Sequence, residues 1–206
     1  MTEGTHKPLT PDQIPLFERA ATEAEDPIRT LTGLFLLHTG LRNGEFTHMR
    51  PGWLSEDNGK IIIEIPEEEE CVSGVGPTGT GNKKQMNLNS RGEPCTKCRN
   101  KPHREENQWK VKTPAAIRTI LIDSDQQTLI DLLDWWKQGF DCVPLSHRGV
   151  NYHLRKLAEE ARLDRNVTAH DLRYTHAMEL GRKGMAAPHI MARLGYSSIE
   201  PVQQFE

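Results

Sequence analysis

A mostly helical α+β domain with a small antiparallel sheet that carries a long insert is the fold class that the 206-residue sequence predicts. Three observations lead there. Capped stretches with helical apolar spacing occupy the first fifty or so residues and return from about residue 123 onward. Between them stands one unmistakable strand, "KIIIEI", β-branched and bounded by a turn at Asn58-Gly59. Residues 66–107 then break the pattern, running from the acidic "EEEE" through the Gly-rich "SGVGPTGTGN" to "CTKCRNKPH".

The elements follow in order. In "LTPDQIPLFERAATEA" Thr10 is placed as a cap and Pro11 at the first helical position, followed by Ile14, Leu16, Phe17 and Ala20 at helical spacing. "DPIRTLTGLFLLHTG" is more apolar and reads as a central helix stopped by Gly40. "RNGEFTHM" makes a short helix closed by Pro51. After the insert, "QWKVKTPAAIRTILI" reads as two short strands turning around Thr113-Pro114, which join "KIIIEI" in one sheet and put Lys112 at a hairpin tip. "DSDQQTLIDLLDWWKQ" is capped by Asp123 or Ser124 and carries an apolar stripe through Leu129, Leu132, Leu133 and Trp136, with Trp135 at the rim. Four more helices follow, in "SHRGVNYHLRKLAEEARL", "TAHDLRYTHAMELGRKG", "AAPHIMARLGY" and "SSIEPVQQF". Cys142 and His176 are expected to be structural.

Bulk properties narrow the function classes. No apolar run approaches the roughly 20 residues that span a membrane, and the polar N-terminus is no signal peptide, so a cytoplasmic protein is expected. Net charge is −3, yet it is unevenly spread. Residues 1–80 carry a net −8, whereas 81–118, with Lys83 and Lys84, carry +7 and 148–193 carry +4. Two basic blocks in an acidic chain can form one face for a polyanion, or can be solvated helix faces.

Three cations sit at element ends: Arg42 after "HTGL", Lys112 in "KVKT", and Arg173 three residues after His170 in "HDLR". Arginine forks onto phosphate oxygens, and lysine is a compact proton donor. Two arginines, a lysine and a histidine, if brought together, suit phosphoryl chemistry: they neutralise non-bridging oxygens and protonate a departing alkoxide. Each alone is more often a surface salt-bridge partner.

"TGLRNGEF", "KTPAAIRTI", "HDLRYTHAMEL" and "LGYSSIEPVQQFE" resemble, in order and context, the signature boxes of the tyrosine recombinases of phage-integrase type. The resemblance runs from about Leu9 to the end. It implies a helical catalytic domain that acts on double-stranded DNA as a homo-multimer, through a 3′-phosphotyrosine and with no cofactor for catalysis. An origin in a prokaryote or a virus, with nucleoid association, also follows. By this likeness Arg42 matches the first arginine, Glu45 its acidic support, Lys112 the general acid toward the leaving 5′ oxygen, and His170 and Arg173 the His-x-x-Arg pair. Tyr196 falls where the family carries His or Trp, a phosphate hydrogen bond or else a core tyrosine. Phe205 falls on the nucleophile's position. Phenylalanine keeps the ring and lacks the oxygen, so the expectation is DNA binding with cleavage blocked, in a natural inactive remnant or regulator, or by design. The family's N-terminal core-binding domain is expected to be absent. Arg148 is a further candidate phosphate contact, as against an ordinary helix start.

The insert contains Cys95 and Cys98 as Cys-x-x-Cys, with Cys71 at its start and His103 beyond. Together these three cysteines and one histidine make a candidate structural zinc site. A Gly-rich segment with few apolar residues cannot bury a core of its own, which gives a metal something to do. A metal-free basic loop or a redox pair are the alternatives.

Overall fold

The structure, a computed structural model, describes residues 7–58, 60–73, 94–100, 107–122 and 126–197. Lys83, Lys84, His103 and Phe205, with the proposed caps Asp123 and Ser124 and the last expected helix, lie outside the described residues.

Helix α1 (Gln13–Thr22) packs on α2 (Pro27–Thr39), which is buried along almost its whole length. Asp26 caps α2 by accepting from the Ile28 N–H, with Pro27 at the first position. Gly40 ends it at φ +61°, a left-handed turn that only glycine adopts freely. Helix α3 (Asn43–His48) follows at once, and the single turn α4 (Thr96–Arg99) lies in the insert. Residues of α2 also meet α5 (Gln127–Gly139), α6 (His147–Glu160) and α7 (Ala169–Arg182), so the apolar "LTGLFLL" is the hub of the core. Trp136 is fully buried and Trp135 is exposed, as their helical spacing predicts, and Cys142 is buried as expected of a small apolar residue. A smaller cluster of Ala177, Leu180, Ile190 and Leu194 joins α7 to α8 (Ala187–Leu194).

The sheet is where expectation and structure part. Strands β1 (Leu54–Asp57), β2 (Lys60–Ile65) and β5 (Arg118–Ile122) form one antiparallel sheet, with Ile63 opposite Ile120. The segment "QWK" does not join it. As β4 (Gln108–Lys110) it pairs instead with β3 (Glu68–Glu70), so the acidic run is an ordered strand in a second, two-stranded sheet. Glu68 and Glu69 face Lys110 and Trp109, and Trp109 packs on Trp53 at 5.1 Å between ring centroids. Charge pairing and an aromatic contact favour that partner over the isoleucine edge of β2, which β5 fills. Lys112 therefore sits on an exposed connection between the two sheets, just before the 3-10 turn Pro114–Ala116, and not at a hairpin tip. No helix among the described residues is long and apolar enough to cross a membrane.

Candidate active site

Two glycine-terminated helices set the site. The last carbonyls of a helix have no partner within it and carry the negative end of its dipole. At the end of α2, the Gly40 carbonyl accepts from Arg173 Nη1 at 2.7 Å. At the end of α8, where Gly195 is left-handed at φ +65°, the Leu194 carbonyl accepts from Arg173 Nη2 and the Gly195 carbonyl from Arg42 Nη2 at 2.6 Å. The glycine turns in "TGLR" and "LGY" thus aim carbonyls at the two arginines. A Cβ on Gly195 would lie 2.6 Å from the Ala115 carbonyl oxygen, so that turn also lets α8 meet the 3-10 turn after Lys112.

Glu45 holds the other side. Its carboxylate accepts from the Arg42 backbone N–H at 2.8 Å, which anchors the start of α3, and from Arg42 Nη1 at 2.8 Å. It also takes a two-pronged bond from Arg118, at 3.0 and 2.9 Å. Burial alone would raise the Glu45 carboxyl, but the Arg118 bonds and the charges of Arg118, Arg42 and Arg173 outweigh it and hold the group below its usual range. Arg118 in turn donates from Nε to the Arg193 carbonyl at 2.8 Å and from Nη1 to that of Ala116 at 2.8 Å. Sequence reasoning did not single out Arg118. A signal existed: with Ile120 and Ile122 buried, period-two alternation puts Arg118 on the inward face of its strand, where a cation needs a partner.

Arg173 is 2% exposed and its guanidinium lies 4.5 Å from the centre of the Tyr196 ring. Burial pushes its pKa down to about 10, which leaves it charged at neutral pH. The Tyr196 hydroxyl is buried without a hydrogen-bond partner among the described residues. Arg42, Glu45, Arg173 and Tyr196 are therefore brought together. His170 is exposed one turn before Arg173 on α7, and Lys112 is exposed beside the 3-10 turn. Arg148 is exposed in the first turn of α6, next to His147. The helix start there is capped by Ser146, which accepts from the Gly149 N–H at 3.1 Å. His176 is buried against the Gly40 turn and beside Arg193, where burial and the charges of Arg193, His38 and Arg173 push its pKa down to about 3.

Summed over this cluster, three guanidinium groups face one carboxylate. A buried excess of positive charge calls for an anion.

A family comparison fits that demand: a model of the phage integrase family matches residues 7–206. The chain belongs to the phage integrase family. Among solved structures, it is similar to the XerH site-specific recombinase bound to its difH substrate, at 14% identity and TM-score 0.63, over 97% of this chain and 50% of that one. It is also similar to the Tn1549 transposon integrase in complex with circular intermediate DNA, at 15% identity and TM-score 0.63, over 99% of this chain and 63% of that one. A lambda integrase dimer bound to a core site matches at 18% identity and TM-score 0.51, over 97% and 58%. These likenesses give the fold, and the chain spans about half the length of the XerH recombinase. No curated protein matches the sequence. In this member of the phage integrase family a helical domain frames the small sheet.

Proposed function

We propose that this integrase-family chain serves site-specific DNA recombination: it binds duplex DNA as a homo-multimer, by a domain built to break and rejoin strands through a 3′-phosphotyrosine. In this chain Phe205 blocks the cleavage step. The observation that carries the reading is the excess of guanidinium charge around Arg42, Arg118 and Arg173 over the single carboxylate of Glu45. A phosphodiester brings one negative charge, and its pentacovalent transition state brings a second, so such a site favours the transition state over the ground state. Arg42, with its side chain 21% exposed, is the arginine that a scissile phosphate would reach directly. Arg173 supports it, and Tyr196 supplies a hydroxyl that has no hydrogen-bond partner among the described residues. Lys112 is the candidate acid toward the leaving 5′ oxygen, His170 a second phosphate contact, and Arg148, Lys83 and Lys84 candidates for contacts along the backbone.

A nicked suicide substrate tests the proposal. The chain as written should shift the DNA with an affinity that falls steeply with salt, and should form no covalent adduct. Phe205→Tyr should form one. A covalent adduct with Phe205 in place would refute the block. Failure of both forms to bind DNA would refute the recombinase reading.

The alternative, a DNA-binding regulator that has given up catalysis, is favoured by Phe205 itself. It predicts that Phe205→Tyr binds DNA and still does not cleave.

A further inference from the structure

The insert is tied to the helix of Arg42 and Glu45 through a cluster that the recombination reading does not use. We propose that His48, Cys71, Cys95 and Cys98 form a structural zinc site that clamps the insert onto α3. The ligand atoms of these four residues all lie within 4.8 Å of one another. The His48 Nε2 atom is 3.6 Å from Cys95 Sγ and 3.6 Å from Cys98 Sγ. Tetrahedral zinc, with Zn–S of about 2.3 Å and Zn–N of about 2.0 Å, separates a nitrogen and a sulfur ligand by about 3.5 Å. The spacing is that of a coordination shell.

The surroundings agree. His48 Nδ1 lies 2.7 Å from the Gly44 carbonyl, so Nδ1–H donates there and the Nε2 lone pair faces the sulfurs. The Cys95 backbone N–H donates to Cys71 Sγ at 3.3 Å, and the Cys95 carbonyl accepts from the N–H groups of Cys98 and Arg99, both at 3.0 Å. That is a tight turn presenting both sulfurs to one point, with N–H support for a thiolate. His48, Cys71 and Cys98 are each less than a tenth exposed. Three sulfurs and one imidazole favour zinc over the hard cations, which take oxygen.

The fourth ligand differs from the sequence expectation. His103 lies outside the described residues, whereas His48 is the last residue of α3 and lies 50 positions before Cys98. The ion would therefore join the insert to the element whose first turn carries Glu45 and is capped by Arg42. The Trp109 ring of β4, stacked on the His48 ring at 5.5 Å between centroids, closes the same corner. Lys97, between the two knuckle cysteines, reaches His147 Nδ1 at 3.3 Å at the start of α6. The clamp thus sets a lysine at the first turn of α6, the turn that carries Arg148.

The test is elemental analysis of the full chain purified with zinc supplied, joined to cobalt(II) substitution and its absorption spectrum. About one zinc per chain is expected, with cobalt bands of a tetrahedral site of three sulfurs and one nitrogen. His103→Ala should keep both the stoichiometry and the spectrum. His48→Cys should keep the metal and shift the bands toward those of an all-thiolate site. Cys98→Ser should lose stoichiometric zinc. A folded chain without zinc, by circular dichroism and elemental analysis, would overturn the proposal. So would a spectrum that changes with His103→Ala and not with His48→Cys.

Discussion

Arg118→Met separates the buried ion pair from the rest of the site, and its cost can be worked from the geometry. Arg118 and Glu45 side chains are each 4% exposed. The substitution keeps most of the volume but removes two charge-assisted bonds to Glu45 and two bonds to backbone carbonyls. Taking one partner from a buried pair costs about 3–5 kcal/mol, because the other charge stays desolvated. Arg42 still bonds Glu45 at 2.8 Å, which argues for the lower end, about 3 kcal/mol. For a chain of this length that is a fall in melting temperature of roughly 10 °C. Urea titrations followed by circular dichroism at pH 7.5 would measure it for Arg118→Met, Glu45→Gln and the double variant, with a shared slope. The double should cost clearly less than the two singles together, with a coupling of about 2 kcal/mol. A single cost under about 1 kcal/mol, or additivity within about 0.5 kcal/mol, would refute the reasoning.

Other expectations follow from the same contacts. Gly195→Ala meets both a left-handed backbone and a Cβ contact of 2.6 Å with the Ala115 oxygen, so it should destabilise by more than about 1 kcal/mol and weaken DNA binding in a gel-shift titration. Arg173→Lys cannot bridge the carbonyls of Gly40 and Leu194, and should lower both the melting temperature and DNA affinity, whereas Lys112→Ala, at an exposed position, should leave the melting temperature unchanged. His176 titrates at about 3 when folded and near 6.5 when unfolded, so the unfolded chain binds the extra proton between those values. Its share of stability is complete above about pH 6.5 and falls by up to about 1.4 kcal/mol per pH unit below it; urea midpoints at pH 7.5, 6.0 and 5.0 should flatten in His176→Gln. Chelation of the proposed zinc should lower the melting temperature of the chain, and that loss should vanish in Cys98→Ser, as read by differential scanning fluorimetry.

Much of the fold was legible because helix signals are local. The Gly40 stop and the apolar spacing of α2 and α5 lie within a few residues of the structure they determine, whereas the start of α1 was misplaced: the helix begins at Gln13 behind Asp12, and not at Pro11 behind Thr10. Strand partners are not local, and there the reading failed. Nothing in "QWKVK" says that it pairs with "EEEE" and not with "KIIIEI", since both would make good ladders; the aromatic packing of Trp109 on Trp53 decides. The same split holds at the site. Arg42, Glu45 and Arg173 were found through motif boxes, and the structure places them together. Arg118 sat in a quoted box unnoticed. His48 had no spacing signal at all, because its sulfur neighbours arrive from another part of the chain.

By itself, then, the sequence determined the helical elements, the cations at their ends, the Cys-x-x-Cys and the phenylalanine at position 205, all properties of single residues and near neighbours. Only the tertiary structure decided which groups meet. Arg42 finds the Gly195 carbonyl across 153 positions, and Arg118 finds Glu45 across 73. The reason is physical. Such contacts exist only once α2, β5 and α8 are packed, because burial then removes the water that would otherwise satisfy each charge and leaves the groups to satisfy one another.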